Sequence, residues 1–62
     1  MPLIRVEMFP GRTLEQKREF AVAVTREAAT IFKCDPGAVD VLFAEIQKED
    51  WATGGKLWSD AG

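Results

Sequence analysis

Pro2 is the residue of this chain best suited to proton transfer, provided that Met1 is removed. Removal of an initiator Met is permitted by a small second residue, and Pro2 would then present a secondary amine whose conformation is fixed by its ring. An α-amino group ordinarily has a pKa of about 8, and an apolar pocket or a nearby cation would lower that pKa toward neutrality. Such an amine suits general acid/base catalysis. On the dipeptide alone, a proline that merely begins an edge strand is the favoured alternative.

Arg12 and Trp51 are the two side chains that could bind a substrate. Arg12 follows a Pro-Gly turn and precedes a helix N-cap, so its guanidinium would project from a loop. There it could hold a carboxylate in a bidentate clamp, or it could be an ordinary solvated arginine. Trp51, close to Gly54-Gly55, could form the wall of an apolar pocket or pack at a subunit contact.

The other reactive or charged side chains suggest no chemistry. Cys34 is the only cysteine and the chain has no histidine. We therefore expect a bystander thiol rather than a nucleophile, and no disulfide, metal site or other cofactor. The charged residues of the central segment are expected to form a solvated helix face: Glu15, Lys17, Arg18, Glu19, Arg26 and Glu27.

Length and composition indicate a single domain, residues 1–62, that is completed by association. A chain of 62 residues is near the lower limit for independent folding, and 47% of its residues are hydrophobic. We expect the excess apolar surface to face other subunits of a homo-oligomer. The 10 acidic and 8 basic residues are scattered along the chain, which argues against nucleic acid as a partner. No stretch resembles a membrane span or a signal peptide, so we expect a cytoplasmic protein that binds no membrane.

Hydrophobic periodicity predicts a strand followed by a helix. Residues 2–9 place Ile4, Val6 and Met8 on one face and a mixed set of side chains, among them Arg5 and Glu7, on the other, which is the period of a strand, and Pro10-Gly11 ends it. Thr13 and Gln16 have the spacing of a capping box, so a helix should begin at about Leu14. An apolar stripe continues to about Lys33, if the aliphatic part of Lys17 fills a gap in it. We expect Asp35-Pro36-Gly37 to end the helix.

A second strand and a hairpin complete the predicted fold. Residues 39–46 read as a strand that is apolar on both faces apart from Asp40 and Glu45. Strand, helix and strand give a parallel pair with a right-handed crossover. Residues 50–58 contain a Gly-Gly turn between short apolar segments and look like a small hairpin. The predicted class is α+β, a β-α-β subunit whose sheet is completed by oligomerisation because two strands alone are not stable.

Nearly the whole chain resembles the 4-oxalocrotonate tautomerase family. The order and spacing of several features carry the resemblance: Pro2 behind the initiator Met, Gly11-Arg12 after the first strand, Thr13-Leu-Glu-Gln-Lys17 at the helix start, Glu45 late in the second strand, and Trp51 shortly before Gly54-Gly55. The resemblance implies β-α-β subunits that pair into dimers, with three dimers forming a hexamer. It also implies that Pro2 is the general base that moves a proton along a conjugated oxo-acid or enol.

The resemblance further assigns Arg12 and Trp51 to the substrate. Arg12 would bind the substrate carboxylate from a neighbouring subunit, and Trp51 would replace a family phenylalanine that keeps the Pro2 amine in an apolar setting. One position departs from the family, because Asp40 stands where a second arginine polarises the substrate oxo group. A carboxylate there would disfavour the developing enolate and would raise the pKa of a nearby amine.

Asp40 therefore leaves three hypotheses open. The first is an atypical tautomerase, an isomerase acting on small oxo-acids or enols. The second is a hydratase, dehalogenase or decarboxylase that uses protonated Pro2, with Asp40 activating water and Arg5 as a substitute cation. The third is a catalytically silent oligomeric module.

Overall fold

The computed structural model describes residues 2–60, which form a β-α-β unit followed by a small hairpin. The regular elements are β1 (Leu3–Met8), α1 (Leu14–Phe32), β2 (Asp40–Glu45), β3 (Ala52–Thr53) and β4 (Lys56–Leu57), with single 3-10 turns at Pro36–Ala38, Lys48–Asp50 and Trp58–Asp60. β1 and β2 pair in parallel, and β3 and β4 pair antiparallel. The predicted α+β class and the predicted hairpin are confirmed.

The start of α1 follows the predicted capping box. The Thr13 hydroxyl accepts a hydrogen bond from the Gln16 backbone N–H at 3.1 Å, and the Gln16 side-chain oxygen accepts one from the Thr13 N–H at 2.9 Å. Two N–H groups that have no partner within the helix are thereby bonded. The cap fixes where the loop that carries Arg12 ends.

The helix ends close to the predicted end of its apolar stripe, at about Lys33, but a left-handed residue rather than Asp35-Pro36-Gly37 ends it. The helix stops at Phe32, before Asp35-Pro36-Gly37, because Lys33 adopts the left-handed conformation with φ 56°. The N–H groups of Lys33 and Cys34 both donate to the Ala29 carbonyl and close the last turn. The Asp35 carboxylate instead accepts a hydrogen bond from the Gly37 N–H at 2.9 Å and starts a separate 3-10 turn, which leads the chain into β2.

The hairpin depends on two glycines in left-handed conformations. Gly54 and Gly55 have φ values of 61° and 83°, the pair of positive φ angles that a two-residue hairpin turn of this hand requires. Side chains at these positions would strain the backbone. The turn therefore sets the register that places Ala52 opposite Leu57.

One face of the sheet is covered by α1, and the other face is open. The β1 side chains that point toward α1, those of Ile4, Val6 and Met8, are half-buried and alternate with exposed ones. Phe20 of α1 meets Phe43 of β2 edge to face at 6.1 Å between ring centres. Within residues 2–60, only Ala28 and Ala29 of the apolar residues are buried. A single chain thus has very little core.

Large apolar side chains remain exposed on the helix, on the open face of the sheet and at the hairpin. They are Leu3, Leu14, Phe20, Val22, Ile31, Phe32, Leu42, Leu57 and Trp58. The accessible surface is 4873 Å², whereas a compact protein of this mass has about 4,000 Å². The radius of gyration is 14.9 Å, against about 11 Å for a compact chain of this length. Both values are those expected of a subunit that buries further surface on association, not of a compact monomer.

Across the part of the chain that the structure covers, no helix has the length and apolar character needed to span a bilayer. α1 carries charged residues along one side, among them Glu15, Arg18, Glu19 and Glu27, all of them exposed.

Candidate active site

Pro2 and Asp40 lie together at one edge of the sheet. In a parallel pair the strands begin at the same edge, and the Asp40 N–H donates to the Pro2 carbonyl at 3.0 Å. Pro2 is half-buried, while the Asp40 side chain is exposed. Asp40 is the register partner of Leu3, so its carboxylate projects from the open face of the sheet. Met1 lies outside the described residues, and its removal stays a prediction.

Arg12 and Trp51 lie at the opposite end of β1. The ring of Trp51 packs on Phe9, the residue after β1 ends, with ring centres 4.4 Å apart and planes inclined by 48°. Arg12 follows Phe9 by three residues, is exposed, and forms an ion pair with none of the carboxylates in residues 2–60. A free guanidinium and an aromatic surface therefore lie at the same end of the strand.

The two pairs of residues are too far apart to serve one small substrate within one chain. β1 is six residues long, and a strand rises about 3.3 Å per residue, so its ends are about 20 Å apart. The candidate residues of a single chain thus fall into two separate groups, which we call half-sites. The Pro2 half-site offers a nitrogen and a carboxylate, and the Arg12 half-site offers a cation and an aromatic wall.

A cavity of about 190 Å³ opens between the first turns of α1 and the sheet, on the Arg12 side. Its lining is mostly apolar and comes from Val6, Met8, Phe20 and Phe43, with Arg12 and Lys17 also exposed to it. Lys17 Nζ is 3.0 Å from Glu45 Oε2, so its charge is matched by a carboxylate of β2. Lys17 is half-buried, as expected of a side chain whose aliphatic stem lies along the apolar stripe of α1.

Phe9 and Trp58 join Trp51 in an aromatic cluster that sequence reasoning missed. Trp58 meets Phe9 edge to face at 5.4 Å between ring centres. The Trp58 backbone N–H donates to the Trp51 carbonyl at 2.9 Å. The proximity of Trp51 and Trp58 could have been predicted from the hairpin, because residues at equal distances from a two-residue turn lie opposite each other. Phe9 had no such signal, because its contacts with the hairpin are distant in sequence.

Arg5 and Cys34 were the other two side chains considered for chemistry, and their contacts do not favour a role for them. Arg5 Nε bonds Glu7 Oε1 at 3.1 Å along the open face of the sheet. This contact draws the guanidinium toward Glu7 and away from Asp40, which argues against Arg5 as a substitute cation. Cys34 is a free, half-buried thiol after the helix end. Within residues 2–60, no group of three side chains of the kinds that ligate metals is clustered.

Known proteins resemble this chain over almost its entire length. The family model described as tautomerase enzyme matches residues 2–61. The 2-hydroxymuconate tautomerase of Bacillus subtilis is 35% identical over 60 residues, which are 97% of each chain. The solved structure of YwhB, a homologue of 4-oxalocrotonate tautomerase, is 34% identical, with a TM-score of 0.90 over 95% of this chain and 97% of that one. A heterohexamer 4-oxalocrotonate tautomerase from Chloroflexus aurantiacus is 33% identical, with a TM-score of 0.87 over 97% of each chain.

Proposed function

Since the chain belongs to the tautomerase family, we propose that it is a small isomerase that uses the amine of Pro2 to move a proton within conjugated oxo-acids or enols. The placement of Pro2 carries the proposal. Its carbonyl is held by the Asp40 N–H at the edge of the sheet, and the residue is half-buried. A proline nitrogen within a chain makes no backbone hydrogen bond, so removal of Met1 breaks none. The ring fixes the direction of the resulting amine.

In the proposed reaction the Pro2 nitrogen accepts the proton of the substrate enol hydroxyl and returns a proton to carbon. The C–O bond becomes a carbonyl, the C=C bond shifts or becomes single, and the composition of the substrate is unchanged. A general base aligned in this way contributes about 10²- to 10⁴-fold to the rate. The Arg12 guanidinium binds the substrate carboxylate and holds the enol near the amine.

We further propose that each complete site combines Pro2 of one subunit with Arg12 and Trp51 of another. The distance of about 20 Å between the two half-sites of one chain supports this arrangement. The exposed apolar side chains and the extended shape of the subunit support association, because a compact chain would leave about a fifth less surface exposed. A homohexamer built as a trimer of dimers is the assembly that the family resemblance implies, and it would be cytoplasmic.

A blocked N-terminus tests the proposed function most directly. With an N-terminal tag that the cell does not remove, Pro2 becomes an amide nitrogen with no basicity. We expect ketonisation of phenylenolpyruvate and of an alkyl enolpyruvate to fall by about 100-fold or more, toward the rate in buffer. The same tag at the C-terminus is the matched control and should leave both rates within about twofold of those of the untagged protein.

Intact mass identifies which species retain residues ahead of Pro2, so the rates can be assigned to a defined N-terminus. Full activity of the N-terminally tagged protein would exclude the amine mechanism. An untagged protein that lacks Met1 and yet turns over neither enol would favour the catalytically silent module.

A second candidate function is hydration, dehalogenation or decarboxylation by protonated Pro2. The observation that favours it is the position of Asp40, whose backbone bonds Pro2 and whose carboxylate is exposed at the same edge. In this second candidate the negative charge of Asp40 favours the ammonium form of the Pro2 amine, because a nearby anion stabilises a cation. The same carboxylate could activate water for addition to an unsaturated acid.

Asp40 variants separate the two candidates. In Asp40→Asn the Pro2 pKa should fall, because the charge that stabilises the ammonium form is removed, and the acidic limb of the pH–rate profile for enol ketonisation should move to lower pH. Asp40→Arg should raise kcat/KM for 2-hydroxymuconate by about 10-fold or more, since it supplies a cation for the developing enolate and the second carboxylate.

Glu27→Gln removes an exposed carboxylate of α1 and is the control for net charge. If Asp40→Asn instead abolishes turnover of halo-acrylates while enol ketonisation persists, the second candidate is supported. If every turnover and every pH profile is unchanged by Asp40→Asn, then Asp40 has no part in the chemistry.

A further inference from the structure

The indole of Trp58 presents an apolar ring surface, because its N–H group already has a hydrogen-bond partner. Its Nε1–H donates to the Thr53 hydroxyl at 2.9 Å, yet the residue is 43% exposed. Exposed tryptophans commonly orient the N–H toward water, and here that need is met inside the hairpin. What remains exposed is therefore carbon surface, which favours contact with another apolar group.

The ring is also held in place before any ligand binds. Phe9 contacts Trp51 at 4.4 Å and Trp58 at 5.4 Å between ring centres, so it bridges the two tryptophans. The Trp58 backbone N–H donates a hydrogen bond to the Trp51 carbonyl, which fixes the part of the hairpin that carries the ring. A rigid aromatic surface loses little conformational entropy when a flat group packs on it. The cluster of Phe9, Trp51 and Trp58 is thus a pre-formed wall.

The charges of the two half-sites restrict the ligand to a single carboxylate. Arg12 lies at the same end of β1 as the aromatic cluster and has no carboxylate partner within residues 2–60. Asp40, at the Pro2 edge, would repel a second carboxylate of the same molecule. A ligand that suits both half-sites carries one carboxylate for Arg12 and an uncharged, flat tail for the cluster.

We propose that Trp58 is a specificity-determining residue that selects aryl-substituted enolpyruvates, with the aryl ring packed on the exposed face of its indole. The inference rests on the proposed function and adds its substrate class. The chemistry is unchanged: the enol hydroxyl gives its proton to Pro2, carbon receives a proton, and the C=C bond becomes single as the carbonyl forms. Trp58 takes no part in these steps and acts only through binding of the tail.

The test is the ratio of kcat/KM values for two substrates that differ only in the tail. The probes are phenylenolpyruvate and the same enolpyruvate with a methyl group in place of the phenyl ring. Trp58→Ala should lower the aryl to alkyl ratio by about five- to tenfold, because an aromatic pair contributes that much beyond simple burial. Trp58→Phe should recover most of the ratio. The loss should appear mainly in KM for the aryl substrate.

A neighbouring subunit is the competing occupant of this surface, and the ratio separates the two cases. If Trp58 packs only on another subunit, Trp58→Ala lowers both rates together and leaves the ratio unchanged, which overturns the inference. Where Trp58→Ala fails to assemble, Trp58→Leu keeps apolar volume without a ring, and an unchanged ratio in that variant is equally decisive against it. Leu57→Ala, a truncation of the exposed apolar neighbour of Trp58, is the control and should not move the ratio.

Failure of this inference is distinct from failure of the proposed function. Turnover of the alkyl enolpyruvate that is lost when the N-terminus is blocked supports the function alone, whatever the ratio does. An unaltered ratio in every Trp58 variant rejects the aryl specificity and leaves the function standing.

Discussion

Replacing Pro2 with alanine is expected to lower kcat/KM for enol ketonisation by about 100-fold or more. Alanine is also small enough to permit removal of Met1, so the variant still presents an N-terminal amine. That amine is primary and is not held by a ring, so it loses the fixed direction that aligns the proline nitrogen with the substrate. The measurement is the ketonisation rate under single-substrate conditions, with the N-terminus of each preparation established by intact mass.

Pro36→Ala is the matched control for this substitution. Pro36 is exposed and begins the 3-10 turn before β2, where alanine can adopt the same backbone conformation and Asp35 still caps the turn. We expect its activity to remain within about twofold of that of the unmodified chain, as for most exposed substitutions. Equal activity of Pro2→Ala and Pro36→Ala would show that Pro2 is not the general base.

Replacing Arg12 with alanine is expected to lower kcat/KM by about 10- to 100-fold, mainly through a higher KM. A hydrogen bond to a charged group contributes about 1.5–3 kcal/mol, and Arg12 has no ion-pair partner in residues 2–60 that would compete with a substrate carboxylate. The kcat/KM of Arg12→Lys should lie between those of the unmodified chain and Arg12→Ala, because lysine keeps the positive charge but lacks the planar guanidinium. Arg18→Ala is the control, since Arg18 is exposed on α1 and, among residues 2–60, pairs with Glu15 alone, at 3.5 Å.

Mixing the Pro2→Ala and Arg12→Ala variants, each impaired on its own, tests whether one site uses two chains. Each variant alone contains no complete site, but an assembly of both can join Pro2 of the Arg12→Ala chain to Arg12 of the Pro2→Ala chain. Random mixing of equal amounts should restore about a quarter of the sites. The expected result is recovered activity after the subunits are dissociated and reassembled together. If no activity returns although mixed assemblies form, Pro2 and Arg12 do not come from different chains.

The local elements of the fold could be predicted because their causes are local. The alternation in residues 2–9 and the capping box of Thr13 and Gln16 specify β1 and the start of α1, and both are confirmed. The apolar stripe predicted a helix that runs to about Lys33, and the helix ends at Phe32. Which residue ends the helix could not be predicted. Asp35-Pro36-Gly37 is the recognisable helix-ending motif, whereas nothing in the sequence indicates that Lys33 adopts the left-handed conformation.

The sequence by itself determined which residues are candidates for the chemistry of this protein: Pro2 next to Met1, Arg12 after a turn, Trp51 before a glycine pair, and Asp40 in the second strand. Their side-chain types and spacing required no knowledge of the fold. Only the tertiary structure decided how they are grouped. Parallel pairing brings Pro2 to Asp40, while the length of β1 separates both from Arg12 and Trp51. Contacts between distant segments, such as Phe9 with Trp58, depend on how the hairpin packs, and no local pattern encodes that packing.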